Sequence, residues 1–168
     1  MTKDYGKHEK IRKDILRKLD GKAEFRSSHD DRGDIKFFMK VDERRIDLAE
    51  PDILVKKDDR ILIVEIELST SPKHLLGVAF AIDSSEQGEY NKQPIDVKKK
   101  SLLLVLDSSS VCKKGSRKPR QLQEVKSIIK HRLNFRYFDI VTNKEACDVI
   151  LNWIFGKEED VDICKQSS

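Results

Sequence analysis

Four carboxylates between residues 50 and 67 are spaced so that two neighbouring strands would bring them together. Glu50 and Asp52 precede the apolar run ILV, and Glu65 and Glu67 follow the apolar run ILIV. Like charges on opposed strands destabilise a sheet, so such a cluster is usually kept with a cation or a proton between its members. Carboxylate oxygens are the ligands that Mg²⁺ prefers, and water bound to the ion can act as a nucleophile. The spacing therefore predicts an acidic metal site.

A β-hairpin is the element that must position these carboxylates. Period-two alternation and β-branched residues predict strands on both sides of a turn at residues 57–60. If the hairpin closes symmetrically within that turn, Asp52 lies opposite Glu65 and Glu50 lies opposite Glu67, all on one face. The alternative is a solvated hairpin whose acids are surface charges, although aliphatic residues on the same face argue against it. These aliphatic residues are Leu48, Leu54, Ile61 and Ile63.

The elements around the hairpin alternate between helices and strands. Hydrophobic periodicity predicts the order α-β-β-β-α-β-α-β-α. The aliphatic run at 101–107 is typical of a strand buried on both faces, and because it follows a helix it predicts a right-handed crossover and a mixed sheet. Residues 84–100 read as a polar connector. The other predicted segments are helices at 4–19, 72–83, 122–133 and 144–156, and strands at 35–41, from Ile46 into the hairpin, at 61–67 and at 135–141.

The hairpin also carries a family resemblance. Pro51-Asp52, followed on the next strand by Glu65-Ile66-Glu67, resembles the PD-(D/E)xK motif of the restriction-endonuclease-like nuclease superfamily. Glu67 stands where that family usually has lysine, and a minority of type II restriction enzymes carry the same Glu-x-Glu form. The resemblance implies an α/β fold with a mixed central sheet flanked by helices, in which an αβββαβ core is followed here by an additional αβα.

The resemblance further implies an activity and roles for the motif residues. It implies an Mg²⁺-dependent endodeoxyribonuclease that hydrolyses DNA phosphodiester bonds as a homodimer. Asp52 and Glu65 would bind Mg²⁺ or Mn²⁺, together with the carbonyl of Ile66. Glu67 would orient or deprotonate the attacking water and contact the metal, in place of the usual lysine. Glu50 would bind a second ion or steady the first.

Two further residues are candidates for the same site. Lys73 lies in the first turn of the helix that begins at Pro72, where backbone N–H groups favour phosphate, and it could supply the positive charge missing at position 67. A solvated lysine at a helix start is the alternative. Glu9 lies on the first helix, which in the resembling nucleases often carries an acid near the metal; a surface salt bridge is the alternative.

A basic segment at 108–121 predicts contact with the DNA backbone. Its small residues are interspersed with five cations, and phosphate contacts supply most of the nonspecific affinity for DNA. A solvated flexible loop is the equally simple alternative. The cations are Lys113, Lys114, Arg117, Lys118 and Arg120.

The composition of the whole chain narrows its class. The 168 residues are enough for one domain, expected at 1–156 with a frayed tail at 157–168. The first residues lack an apolar signal region and no apolar run is long enough for a membrane span, so we expect a cytoplasmic protein without membrane contact. Three widely spaced cysteines, Cys112, Cys147 and Cys164, indicate neither a disulfide framework nor a zinc site.

Several functions remain open at this point. Within the nucleases, a type II restriction endonuclease and a structure-specific repair or junction-resolving nuclease are both compatible with the sequence. In a different class, a non-catalytic member of the same fold would bind DNA or a protein partner, or serve as a structural subunit. No small-molecule cofactor beyond the metal is expected.

Overall fold

The computed structural model describes residues 2–27 and 34–164, which form a mixed α/β structure with two sheets and five helices. The elements correspond closely to the predicted helices and to the longer predicted strands. In chain order they are α1 (Thr2–Leu19), β1 (Glu24–Ser27), β2 (Ile35–Val41), β3 (Arg44–Ala49), β4 (Ile53–Lys57), β5 (Arg60–Glu67), α2 (Pro72–Asp83), β6 (Gln87–Tyr90), β7 (Gln93–Ile95), β8 (Lys100–Leu106), α3 (Ser108–Val111), α4 (Lys118–Arg132), β9 (Phe138–Thr142) and α5 (Ala146–Ile154).

A five-stranded mixed sheet forms the centre of the molecule, with the strand order β1-β4-β5-β8-β9. The β4–β5 hairpin is antiparallel and pairs Ile53 with Val64 and Lys57 with Arg60, which is the symmetric register predicted from the turn. Strands β8 and β9 run parallel to β5, and every residue of β8 is buried. The predicted mixed sheet and the predicted buried central strand are both confirmed.

A second, antiparallel sheet has the strand order β3-β2-β6-β7. It corrects two sequence-based expectations. The segment 84–100 is not only a connector, because it contains β6 and β7. The strand from Ile46 does not run into the hairpin: β3 ends at Ala49 in the second sheet and β4 begins at Ile53 in the first. Pro51, which has no N–H to donate to a ladder, lies in the break.

Hydrophobic cores lie on both faces of the central sheet. On one face, α1 and α5 cover Val55, Leu62 and neighbouring aliphatic residues. On the other face, α2, α4 and the second sheet cover Leu54, Ile63 and Leu104. Burial on both faces explains why β5 and β8 read as continuous aliphatic runs rather than as alternating strands. The sheet is therefore a rigid platform for side chains at its edge.

The C-terminal segment up to Cys164 packs against this platform. Ile163 is buried in the core, and Cys164 forms a disulfide with Cys112, at a Cα–Cα distance of 5.5 Å. The expectation of no disulfide was therefore wrong. The predicted frayed tail does not describe residues up to Cys164, and residues 165–168 of that prediction lie outside the described part of the chain. Within the described residues, no helix has both the length and the apolar character needed to cross a membrane.

Candidate metal and catalytic site

Asp52 and Glu65 lie side by side where the β4–β5 ladder ends. The last ladder pair is Ile53 with Val64, and beyond it the Asp52 carboxylate takes the place of a backbone acceptor. The N–H of Ile66 donates to Asp52 Oδ2 at 2.8 Å, and the N–H of Asp52 donates to Glu65 Oε2 at 3.3 Å. Both side chains are nearly inaccessible, with 6 % and 8 % of their residue surface exposed. The predicted juxtaposition of these two acids is present.

The electrostatics of the site disfavour a full set of negative charges. Burial raises the pKa of Glu65 well above its usual value, and the neighbouring charges of Asp52 and Glu67 raise it further. Burial also raises the pKa of Glu67, although its contact with His74 acts in the opposite direction. A bound cation would relieve this repulsion, because an opposite charge nearby favours the ionised form of a carboxyl group.

Glu67 is at the last position of β5 and contacts the helix that follows. Its Oε2 lies 2.5 Å from Nε2 of His74, which is in the first turn of α2. Both residues line a cavity of about 710 Å³ together with Glu65, Glu50 and Lys73. The cavity thus gathers four of the seven residues predicted for the catalytic and metal site, while Asp52 reaches it only through its contact with Glu65. Glu50, however, lies in the break between β3 and β4 and is not paired opposite Glu67 in the ladder.

His8 is a site residue that the sequence interpretation missed. Its Nε2 lies 3.1 Å from Asp52 Oδ2, and the hydrogen bond with Asp52 raises the pKa of the imidazole against the opposing effect of burial. A signal for it existed in the sequence. His8 precedes Ile11 by three residues and Ile15 by seven, which places it on the apolar, inward face of α1.

Glu9, the acid predicted to approach the metal from α1, makes a different contact. Its carboxylate accepts hydrogen bonds from Arg12 at 2.9 and 2.6 Å, and Arg12 in turn donates to Ser27. The guanidinium of Arg12 lowers the pKa of Glu9. Glu9 therefore forms a salt bridge, as in the alternative, but with a buried arginine rather than at the open surface, and no contact of Glu9 with Asp52 or Glu65 is observed among the described residues.

The predicted basic loop is shorter than expected and is partly helical. Residues 108–111 form α3, and α4 begins at Lys118, so Lys118 and Arg120 are helical while Lys113, Lys114 and Arg117 lie between the helices. All five side chains are exposed or half-buried. Because β5 and β8 are parallel and end together, this segment leaves the sheet at the same edge as the acidic site.

The donor set can be compared with what a metal needs. In the part of the chain that the structure describes, no group of three or more His, Cys, Asp or Glu side chains is arranged so that it could hold a metal ion. Mg²⁺, however, usually takes only one or two protein carboxylates and completes its shell with water and substrate phosphate. The pair Asp52–Glu65 meets that requirement. The observed contact of Ile66 is its N–H to Asp52, and a role for its carbonyl stays a prediction.

Comparison of the chain with protein-family models, with curated proteins and with solved structures finds no match. The geometry and chemistry of the site are therefore the basis for inferring a function.

Proposed function

We propose that this chain is a metal-dependent endodeoxyribonuclease that hydrolyses DNA phosphodiester bonds. The observation that carries the proposal is the buried pair Asp52–Glu65, joined through the backbone at the end of β4–β5 and opening beside a cavity that holds Glu67, Lys73 and His74. Ionised carboxylates at such density repel one another even beside His8 and His74, and a divalent cation with a phosphate substrate is a ligand set that suits them.

The order of elements supports a restriction-endonuclease-like fold as part of this proposal. The first two strands of the predicted αβββαβ order, at 35–41 and from Ile46, lie in the second sheet. If that sheet is treated as an insertion, the same order is made by α1, β1, β4, β5, α2 and β8. Asp52 directly precedes β4, and Glu65 and Glu67 are on β5, the neighbouring strand of the same sheet. The additional helix–strand–helix is α4, β9 and α5. Fold order by itself would not support an activity, because one fold can host many chemistries.

The residues of the chain have distinct roles in the proposed reaction. Asp52 and Glu65 would hold Mg²⁺ or Mn²⁺, which when bound polarises a phosphate and acidifies a water. Glu67, which contacts His74, would accept the proton of the attacking water in place of the lysine of the related motif. Lys73 lines the cavity at the start of α2, where the helix N-terminus favours phosphate oxygens.

The exposed cations beyond β8 give the proposed enzyme a route to DNA. Their segment follows β8, which ends beside Glu67 of β5, and a duplex bound by Lys113, Lys114 and Arg117 would have to reach from there to the cavity. Such contacts are not sequence-specific. A homodimer would bring two such sites to one duplex, and both the dimer and the choice between restriction and structure-specific cleavage belong to the proposal.

The first prediction tests the acidic pair directly. Supercoiled plasmid, junction and flap DNA are incubated with wild type, Asp52→Asn and the control Asp59→Asn, each with Mg²⁺, Mn²⁺ or EDTA. Asp59 is exposed in the turn at the opposite end of the same hairpin and pairs with Lys99. We expect Asp52→Asn to lose about 100-fold or more of the cleavage rate, because it removes a metal ligand, and Asp59→Asn to cleave at the wild-type rate.

The same assay distinguishes the non-catalytic alternative. The contact between Glu67 and His74 and the lack of a motif lysine are the features that favour it. Wild type would then cleave none of the three substrates with either metal, while binding them with an affinity that ignores Mg²⁺ and falls steeply with salt. Equal cleavage by wild type and Asp52→Asn, with both proteins folded, would contradict the assigned site.

A further inference from the structure

Asp52 receives two hydrogen bonds at the same oxygen from two different elements. The backbone N–H of Ile66 in β5 donates to Oδ2 at 2.8 Å, and Nε2 of His8 in α1 lies 3.1 Å from the same atom. About one fifth of the His8 side-chain surface is exposed, so the contact is shielded but not sealed. Hydrogen bonds to a charged carboxylate are stronger than those between neutral groups. The carboxylate of Asp52 is therefore held by one contact from the sheet, through Ile66, and by one contact from helix α1, through His8.

Helix α1 is held on the sheet by residues on both sides of His8. Ile11, Ile15 and Leu19 are buried in the core beneath it. Lys7 forms an ion pair with Asp107 and donates to Ser109 at 3.2 Å. These contacts dock the helix on both sides of His8 along its length. The packing of this helix therefore has contacts other than the hydrogen bond of His8, and that hydrogen bond acts directly on the carboxylate of Asp52.

We propose that His8 is a positioning residue that fixes the orientation of the Asp52 carboxylate beside Glu65. The part of this inference that concerns metal rests on the proposed function. Groups that hydrogen-bond to metal ligands orient them, and their loss usually costs about 10–100-fold in metal affinity. No chemistry at the substrate is assigned to His8 itself, since its observed contact is with Asp52.

The metal readout uses Mn²⁺ alone as the probe, with isothermal titration of wild type, His8→Ala, His8→Gln and Lys10→Ala. Glutamine can place an amide N–H near the position of Nε2, and Lys10 is an exposed residue on the same helix. We expect His8→Ala to bind Mn²⁺ about 10–100-fold more weakly than wild type, with His8→Gln and Lys10→Ala within a few fold of it. Equal affinities of His8→Ala and wild type would overturn the inference.

A second readout is independent of metal. The Ile66 amide donates to the atom that His8 holds, so its hydrogen exchange in EDTA reports whether Asp52 keeps its orientation. We expect the Ile66 amide to exchange about tenfold faster or more in His8→Ala than in wild type, and at nearly the wild-type rate in His8→Gln. The neighbouring amide of Val64 is the internal reference in each variant. Unchanged Ile66 exchange in His8→Ala would refute the positioning role. If wild type binds no Mn²⁺ but His8→Ala still accelerates the exchange of the Ile66 amide, the proposed function is refuted and the positioning role of His8 stands.

Discussion

At Asp52 a single side chain continues the hydrogen-bonding pattern of a sheet beyond the end of a strand. Its carboxylate accepts from β5 and from α1, while its own N–H donates to Glu65. This arrangement places Asp52 and Glu65 side by side. Among the described residues, no lysine, arginine or histidine lies at ion-pair distance from Glu65. The site therefore carries a local energetic cost that a ligand could remove, as functional sites often do.

The carboxylate of Glu65 should destabilise the metal-free protein at neutral pH. Burial and the charges of Asp52 and Glu67 raise its pKa in the folded state, so folding binds a proton there that the unfolded chain releases. Stability consequently falls as pH rises from the ordinary glutamate value through the raised one. Glu65→Gln keeps an acceptor for the Asp52 N–H but removes the charge. In EDTA we expect a higher melting temperature for the variant at pH 8.

The pH dependence separates this charge effect from a packing effect. Near pH 4 the carboxyl of wild type is protonated in the folded state, so the advantage of Glu65→Gln should disappear there. Glu86→Gln, at an exposed position, is the matched control and should melt with wild type at both pH values. The electrostatic explanation would be contradicted if Glu65→Gln were less stable than wild type at pH 8, or if it gained the same stability over wild type at both pH values.

The sequence predicted the positions of some site residues better than others, for a physical reason. The register of a two-strand hairpin follows from its turn, so the neighbours Asp52 and Glu65 could be paired in advance. Glu50 could not, because the strand break at Pro51 depends on the second sheet. His8 and Glu9 are adjacent on α1, and which of them faces the acids depends on how the helix is docked.

Among the elements, the second sheet shows how a short polar segment can be fixed by packing. Gly88 in β6 pairs with Phe37 of β2, and a Cβ at Gly88 would meet Val97 Cγ1 at 2.8 Å and the Phe37 ring at 3.0 Å. The absence of a side chain lets β6 approach the core. Local propensity gave little sign of this strand, because only Tyr90 of its four residues favours strands and Gly88 disfavours them.

Substitution of two glycines should have opposite effects on stability. Gly88→Ala forces a methyl group into Val97 and Phe37, and we expect it to cost about 1–3 kcal/mol. Gly77→Ala is the matched control: Gly77 is inside α2 with nothing within 4 Å of an added Cβ, so alanine should stabilise by about 0.5–1 kcal/mol. Denaturant unfolding of both variants checks this, and a stable Gly88→Ala would mean that β6 is not seated as described.

Elements with strong periodicity were predictable, and those that depend on long-range contacts were not. Helix α2 was predicted to its first and last residues because Pro72 marks its start and its apolar run its length. Strand β8 was recognised from its continuous aliphatic run. Strands β6 and β7, with four and three residues, have too few side chains to show a period.

At the scale of the whole molecule, the C-terminal segment closes the structure over β9 and α4. Lys126 and Asp139, both almost fully buried, form an ion pair at 2.5 Å. Asp139 also accepts the N–H of Val161 at 3.0 Å, and Lys126 donates to the Val161 carbonyl at 3.0 Å. The sequence predicted a frayed tail at 157–168 because these partners are distant along the chain and only folding brings them together.

The disulfide between Cys112 and Cys164 should make the stability of the folded chain sensitive to reductant. It joins the C-terminal segment to the end of α3 across 52 residues of sequence, and closing such a loop is worth about 2–4 kcal/mol. We expect the oxidised protein to melt roughly 5–15 °C above the protein in a dithiol reductant.

The control is the double variant Cys112→Ser/Cys164→Ser, which should melt at the same temperature with and without reductant. It leaves the buried thiol of Cys147 in place. Identical melting of oxidised and reduced wild type, with thiol counts confirming both states, would show that packing by Ile163 and the contacts of Val161 hold the segment without the covalent bond.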